Sequence, residues 1–155
     1  MKRLKPVAAL LLLAIALFAT YAPADEIVPS GSKPLSELVK AVEDKKVGLV
    51  KKAELDDGLW EIKAINPYGD VAIFYMDPRT GSVIKEKTDT ERHADKPTGD
   101  DKPLSEILAM IEKNEKTPVS EIEFDDGIWK VVLRNETDKT QFHLDPKTGQ
   151  KLVMK

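Results

Sequence analysis

Carboxylates, imidazoles and hydroxyls are the side chains that could carry chemistry in this chain, because its sequence contains no cysteine. The lack of thiols excludes disulfides, thiolate metal sites and a cysteine nucleophile. A Ser-His-Asp set can be assembled on paper from Ser36, His143 and an aspartate, but no spacing in the sequence supports it. The sequence also has no G-x-S-x-G turn and no phosphate-binding glycine loop. We therefore predict no catalytic residues and a protein that is not an enzyme.

Aspartates in short turns are the first candidates for metal ligands, because Ca²⁺ is bound by oxygen atoms. None of these turns continues as the D-x-D-x-D-G run, with a glutamate at position 12, that a calcium-binding loop requires. The two histidines, His93 and His143, show neither H-x-x-x-H nor H-E-x-x-H spacing. Turn formation accounts for the aspartates, and we expect both histidines to be solvated, so we predict no metal and no cofactor. The aspartates concerned are Asp56, Asp57, Asp77, Asp125, Asp126 and Asp145.

Composition limits the classes of protein to which the chain can belong. The 155 residues include 24 Lys and Arg against 27 Asp and Glu, a formal net charge of −3, with 41% hydrophobic and 33% charged residues. This length rules out a large multidomain enzyme, and this balance rules out a disordered tail or a protein with several membrane spans. A negative net charge also argues against nucleic acid as a partner, because binding requires cations that neutralise phosphates.

Residues 1–24 have the pattern of a signal peptide. Three basic residues precede an apolar stretch from Val7 to Phe18, and Ala22-Pro23-Ala24 then forms a small-x-small cleavage site. An uncleaved membrane anchor is the alternative, but the apolar stretch is shorter than the roughly 20 residues that cross a bilayer. We therefore expect cleavage before Asp25, export to the periplasm (secretion if there is no outer membrane), and no stable membrane anchor afterwards.

The rest of the chain contains the same sequence unit twice. Three short motifs recur in the same order, the first two after 69 residues and the third after 68. Such agreement in order and spacing predicts an internal repeat of one structural unit. The recurring motifs are Lys33–Leu38 with Lys102–Ile107, Asp56–Trp60 with Asp125–Trp129, and Asp77–Gly81 with Asp145–Gly149.

The domain boundaries follow from these motifs and from a polar segment between the copies. That segment contains one alanine, one proline and one glycine among polar residues, which is the composition of a linker. Each repeat is near the lower size limit for an independent core, so we expect the two to dock on each other rather than remain separate. The predicted divisions are a signal peptide (1–24), an N-terminal segment (25–32), repeat 1 (33–85), a linker (86–101) and repeat 2 (102–155).

Hydrophobic periodicity predicts one helix and three or four strands in each repeat. Apolar residues at i, i+3, i+4 and i+7 form one buried stripe on each helix, and each helix follows a proline that suits a first turn. Period-two alternation follows, with Asp-Asp-Gly turning the chain between the first two strands. The fold class is therefore α+β, with two repeats that each pack one helix on a sheet of three or four antiparallel strands. The stripe residues are Leu35, Leu38, Val39 and Val42 in repeat 1, and Leu104, Ile107, Leu108 and Ile111 in repeat 2.

The strand patterns also predict where the tryptophans lie. Trp60 and Trp129 fall on the apolar faces of their strands. We therefore expect them in the core and not on a binding surface, the other place where tryptophan is common. At the end of repeat 2, Leu152 and Val153 are expected to add a short fourth strand.

The third strand is where the two repeats differ most. Its outward positions are polar in repeat 2 but apolar in repeat 1, where the strand reads VAIFYM. A strand that is apolar on both sides is expected to be covered on both faces, because exposed apolar strand faces promote aggregation. We therefore predict a protein-contact surface in repeat 1, covered by the second repeat, a twin subunit or a partner protein. Its residues are Ile65, Val71, Ile73 and Tyr75.

Both repeats resemble the PepSY domain. The likeness rests on VSEIEFDDGIWKVVL followed by FHLDPKTGQKL in repeat 2, and on VKKAELDDGLWEIKA followed by IFYMDPRTGSVI in repeat 1. PepSY domains occur in propeptides of secreted thermolysin-like peptidases, so the resemblance implies binding, and inhibition or chaperoning, of a peptidase. No peptidase follows the repeats in this sequence, so we expect any inhibition to act in trans.

The predicted function is therefore that of a non-catalytic periplasmic protein that modulates an exported peptidase or an envelope signalling partner. The alternative is a periplasmic sensor domain that binds a small ligand or a cation. The expected partner is a protein, and no nucleic acid is expected. A stable co-purifying protein would favour the modulator, whereas a thermal shift with Ca²⁺ or a small molecule would favour the sensor.

Overall fold

The computed structural model describes residues 26–90 and 93–153 of the chain, and the predicted signal peptide lies outside these residues. Within them, one helix and four strands are followed by a second helix and three strands. Neither of these helices is long and apolar enough to cross a membrane. The helices are α1 (Leu35–Glu43) and α2 (Leu104–Asn114), and the strands are β1 (Leu49–Asp56), β2 (Leu59–Ile65), β3 (Val71–Met76), β4 (Val83–Asp89), β5 (Val119–Asp125), β6 (Ile128–Arg134) and β7 (Lys139–Leu144).

Each helix begins directly after a proline and buries one apolar stripe. Pro34 precedes α1 and Pro103 precedes α2, at a position where the missing N–H of proline costs little. All of the apolar residues predicted to form the two stripes are buried, so this prediction is confirmed. The stripes hold the helices on the sheet, because short helices gain most of their stability from packing rather than from propensity.

The two helices cap each other through reciprocal contacts. Glu112 of α2 accepts hydrogen bonds from the backbone N–H (3.0 Å) and the hydroxyl of Ser36 on α1. Glu43 of α1 accepts the same two bonds from Ser105 on α2, with the backbone N–H at 3.1 Å. Each glutamate thus lies in the last turn of its own helix but at the positive first turn of the other, which favours a carboxylate. We refer to these two contacts as the helix clasp.

All the strands join one antiparallel sheet in the order β4-β3-β2-β1-β5-β6-β7. The prediction of a separate three- or four-stranded sheet in each repeat is therefore wrong, because β1 and β5 pair with each other. Either half alone would leave the edge of its first strand with unpaired N–H and C=O groups, and the pairing covers the middle of both edges, residues 52–54 and 121–123. The pairing is centred on Ala53 opposite Ile122, two positions that lie 69 residues apart in the sequence.

The two halves of the sheet end differently. In the first half β4 is a full strand that takes in residues 86–89 of the predicted linker. In the second half the expected strand at Leu152 and Val153 is reduced to one bridge between Leu144 and Lys151. The prediction of a fourth strand there is wrong for the residues described. Val153 is 91% exposed, whereas Leu152 is half-buried and donates its backbone N–H to the oxygen of His143 at 2.9 Å.

The core lies between the helices and one face of the sheet. Trp60 and Trp129 are 1% and 0% exposed, which confirms that both belong to the core. Trp129 makes an edge-to-face contact with Phe124, with the ring centroids 5.3 Å apart. Buried residues of both halves form one continuous cluster, so the two halves share a core.

Candidate protein-contact face

The face of the sheet that points away from the helices is the candidate functional site, and we refer to it as the outer face. Strand residues alternate between the core and this face. The strand register places Glu61 of β2, Glu54 of β1 and Glu121 of β5 side by side across three neighbouring strands. Tyr75 of β3 continues this line beside Glu61, and Val132 of β6 continues it beside Glu121. We refer to the three glutamates as the glutamate row.

One lysine, Lys52, forms ion pairs with several carboxylates in and beside the glutamate row. The Nζ atom of Lys52 lies 2.8 Å from Glu54, 3.5 Å from Glu121 and 3.9 Å from Glu123. Burial by itself would lower the pKa of Lys52, since its side chain is only 16% exposed. The hydrogen bond and charge of Glu54, followed by the charges of Glu123 and Glu121, nevertheless hold that pKa above its ordinary value. Lys52 is therefore a fixed positive charge that several carboxylates share.

Glu61 is the most enclosed member of the row, with a side chain 13% exposed. Burial acts to raise its pKa, but the hydrogen bond and charge of Lys63, whose Nζ lies 2.6 Å away, and a hydrogen bond from Tyr75 hold the pKa below its ordinary value. Burial and then the contact with Glu61 raise the pKa of Tyr75. The ammonium groups of Lys85 and Lys87 lie 5.9 and 5.5 Å from the centre of the Tyr75 ring, within the range of cation–π contacts.

The four residues of the predicted contact surface divide into two pairs. Ile73 and Tyr75 are half-buried on the outer face. Ile65 and Val71 face each other on β2 and β3 and are only 1% and 2% exposed, so they offer little surface to a partner. The second half does not cover any of the four by lying on this face, because its strands extend the sheet sideways. The accessible part of the predicted surface is therefore Ile73 and Tyr75, and its role in binding remains a prediction.

Part of the predicted linker is held against both halves of the molecule. Lys51 of β1 donates its side-chain hydrogen bond to the backbone oxygen of Asp95 (2.9 Å). The carboxylate of Asp95 accepts the backbone N–H of Asp126 in the β5–β6 turn (2.9 Å). Residues 94–99 also share with Ile65 a cleft of about 740 Å³. This segment, which we refer to as the strap, fixes one end of the outer face rather than serving as a loose connection.

A group of carboxylates gathers at the turn between β1 and β2. Oxygen atoms of Glu26, Asp56 and Asp57 lie within 4.8 Å of one another. Burial, and then the charge of Asp57 and its acidic neighbours, raise the pKa of Asp56. At the equivalent position Asp125 has a lowered pKa, because Lys130 donates a hydrogen bond to it. Turn formation is the predicted role of these aspartates, and no sequence pattern indicates Glu26 as their neighbour.

Two other aspartates behave as the turn prediction expects. Asp77 accepts the backbone N–H of Thr80 at 2.8 Å and that of Arg79 at 2.9 Å. Asp145 accepts the two corresponding N–H groups of the other half at 2.8 and 3.0 Å. These hydrogen bonds hold the pKa of both carboxyl groups below the ordinary value. Both side chains therefore close a turn.

The structure does not bring the candidate nucleophile and base together. Ser36 lies on α1 and is engaged by Glu112. His143 pairs with Lys130 on the outer face of β7, so the sheet separates it from Ser36. His93 lies after β4, with its Nε2 atom 3.6 Å from Asp89. These positions do not form the nucleophile–base pair that acyl transfer would need.

The glutamate row is the feature that sequence reasoning missed. Each member alternates with core residues along its own strand, and this pattern was readable from the sequence. Alternation shows that Glu54, Glu61 and Glu121 point outward, but it does not show that they lie beside one another. Glu54 and Glu61 oppose each other in the β1–β2 hairpin, but the place of Glu121 beside them depends on the register between β1 and β5, which local sequence does not specify.

Comparison with known families identifies the chain at the level of its domain. The family described as "Peptidase propeptide and YPEB domain", or PepSY, matches residues 4–87. The chain belongs to the PepSY family. PepSY domains are generally non-catalytic and are linked to peptidase propeptides or their regulation. The match confirms the resemblance predicted for the first repeat; the resemblance of the second repeat stays a prediction.

No curated protein matches the chain. Among solved structures, the crystal structure of a candidate lipoprotein from Clostridium difficile aligns with a TM-score of 0.47 and 15% sequence identity. The alignment covers 81% of this PepSY protein and 93% of the other chain. Similarity at this level carries no conclusion about function.

Proposed function

We propose that this PepSY protein is exported and acts without catalysis, by binding a peptidase or an envelope signalling protein and modulating its activity. The observation that carries the proposal is the outer face, which the helices leave uncovered and which presents Ile73, Tyr75 and the glutamate row. An uncovered face with an aromatic residue among charged ones suits recognition of a protein. The family's link to peptidase propeptides favours a peptidase as the partner, inhibited or chaperoned in trans.

The proposal treats the second half as a second PepSY-like unit, which the family match does not reach. Recurring contacts support it. The backbone N–H of Lys33 donates to the oxygen of Pro78 at 2.8 Å, and that of Lys102 donates to the oxygen of Pro146 at 3.0 Å. The helix clasp is likewise made twice by matching residues. Export is proposed from the signal-peptide pattern of residues 1–24.

One observation favours the alternative, a cation-binding sensor. The carboxylates of Glu26, Asp56 and Asp57 are close enough to offer oxygen ligands to one Ca²⁺ ion. A higher melting temperature of the purified chain in calcium chloride than in sodium chloride of equal ionic strength would favour the sensor. An unchanged melting temperature, together with an effect on a peptidase, would favour the modulator.

A crosslinking experiment in the producing cell tests the proposal. Ile73 is replaced by a photo-crosslinking amino acid, and captured proteins are identified by mass spectrometry. Glu37, which is exposed on α1 away from the outer face, carries the same amino acid in the control. We expect a peptidase to be captured from position 73 but not from position 37, and the purified chain to change the activity of that peptidase. Equal capture at both positions, or an unchanged activity, would contradict the proposal.

A further inference from the structure

We infer that the segment of the partner protein that binds the outer face is basic, an exposed stretch carrying Lys or Arg next to an apolar side chain. This inference rests on the proposed function, because it names the chemistry of the partner expected on the same face. The arrangement that carries it is the glutamate row together with the residues at its two ends.

The glutamate row places like charges directly opposite one another. Glu54 faces Glu61 on β2 and Glu121 on β5. Neighbouring strands lie about 4.8 Å apart, and like charges at such positions destabilise a sheet. Lys52 and Lys63 compensate only in part, because two ammonium groups stand among three carboxylates of the row. The centre of the outer face therefore keeps an excess of negative charge at close spacing.

The other half of the same sheet shows how these positions can be charge-matched. Glu121 of the second half matches Lys52 of the first, and Glu61 of the first half matches Lys130 of the second. The two residues of each matched pair lie 69 positions apart in the sequence. Both Lys52 and Lys130 face Glu123, an opposite charge. In each like-charge contact of the row, one of the two glutamates is therefore replaced by lysine at the matching position of the other half: Glu61 by Lys130, and Glu121 by Lys52. The fold does not require glutamate at 61 or 121, and this points to a role of these charges in binding.

The ends of the row offer apolar surface beside the charge. Half-buried Tyr75 pairs across the strands with Glu61, and half-buried Val132 pairs with Glu121. A cationic side chain over the row would complete charge-assisted hydrogen bonds, while its stem or an apolar neighbour packs on Val132. At the other end the ammonium groups of Lys85 and Lys87 already lie near the Tyr75 ring, so the basic segment is expected at the Glu121 end of the row. An acidic or neutral segment would instead cover the carboxylates without pairing them, which is costly. Charge complementarity therefore selects a basic segment.

The test measures binding of a blocked peptide of alternating arginine and valine to the full chain, with a glutamate–valine peptide as the control probe. The variants Glu61→Lys and Glu121→Lys make the row charge-matched. The variants Glu37→Lys and Glu106→Lys are the controls. They make the same change of charge at exposed, matching positions of the two helices, 69 residues apart. Melting temperatures are measured for all four variants.

We expect each row variant to weaken binding of the arginine–valine peptide by about tenfold or more, with a melting temperature equal to or above that of the parent chain. The helix variants should bind this peptide like the parent, and no chain should bind the glutamate–valine peptide. Equal weakening by row and helix variants would overturn the inference, as would binding lost together with a lower melting temperature, or no binding by the parent. Peptidase capture and activity are measured separately, so failure here is distinguishable from failure of the proposed function.

Discussion

The two halves of this PepSY protein are held by the same contacts at matching positions, yet they differ in the charges they turn outward. Trp60 and Trp129 occupy matching places in the shared core. Each half closes with an Asp-Pro-x-Thr-Gly turn whose aspartate accepts two backbone N–H groups. Core packing and turn closure tolerate little change, since a lost contact there leaves a cavity or an unpaired polar group.

The outer face lacks that constraint, and there the halves diverge. Glu61 of the first half corresponds to Lys130 of the second, and this exchange alters the neighbouring turn aspartate. The pKa of Asp56 is raised by burial and by acidic neighbours that include Glu61, whereas Lys130 lowers the pKa of Asp125. Core packing therefore does not explain the charges that differ between the two halves on this face. The predictions that follow test which differences matter.

The largest expected effect concerns what the halves share. Trp129→Ala should destabilise the protein by roughly 3 kcal/mol or more, because the side chain is fully buried. Trp60→Ala should cost a similar amount, and either variant should unfold the whole chain in one transition, since both residues belong to one core cluster. Urea unfolding followed by circular dichroism is the measurement. Two separate transitions would show that the halves fold independently. A change in unfolding free energy within ~0.5 kcal/mol would contradict the assignment of the tryptophan to the core.

The helix clasp should show the next largest effect. Glu43→Ala removes the acceptor of two hydrogen bonds from buried Ser105, and Glu112→Ala removes that of two from half-buried Ser36, each at an expected cost of about 1–3 kcal/mol. The two costs should be alike, because the contacts match. Urea unfolding again measures them, with Glu37→Ala as a control that leaves the clasp intact. A lower unfolding free energy in only one of the two clasp variants would show that the two contacts do not contribute equally to stability.

The third strands carry a smaller difference. Ile73 and Gln141 occupy matching outward positions, 68 residues apart, on β3 and β7. Ile73→Lys should lower stability by about 1 kcal/mol, because it places a cation in a half-buried site beside Lys63 and Lys87, and it should abolish partner binding. Gln141→Lys should be nearly silent. Melting temperature, oligomeric state and partner capture are compared, and no change in any of them for either variant would leave the predicted surface without a role.

The smallest effect is a pair of opposite pKa shifts at matching positions. NMR titration should find Asp56 above and Asp125 below the ordinary value of 3.8. The raised pKa of Asp56 means that stability falls as the pH rises from 3.8 through the raised pKa, whereas the lowered pKa of Asp125 means that stability falls as the pH drops from 3.8 through the lowered pKa. Glu61→Lys should lower the pKa of Asp56. An unchanged Asp56 titration in that variant would show that Glu61 does not cause the difference.

Sequence alone determined both helices, the first three strands of each half and their buried faces. The stripes of both helices, the alternation along the strands and the Asp-Asp-Gly turns could all be read correctly, because each depends on residues within one turn or hairpin. The two tryptophans were placed in the core for the same reason. The PepSY resemblance followed from these local motifs and agrees with the family match over residues 4–87.

Only the tertiary structure decided how the halves meet. The pairing of β1 with β5, the helix clasp and the contact of Glu121 with the rest of the glutamate row all join residues separated by tens of positions, and no local periodicity encodes their register. The same dependence on tertiary structure explains why only part of the predicted protein-contact surface is accessible. Ile65 and Val71 point outward by alternation, yet both are buried, and Ile65 lines a cleft together with residues of the strap. Alternation determines the direction in which a side chain points, whereas its burial depends on parts of the chain that come close only after folding.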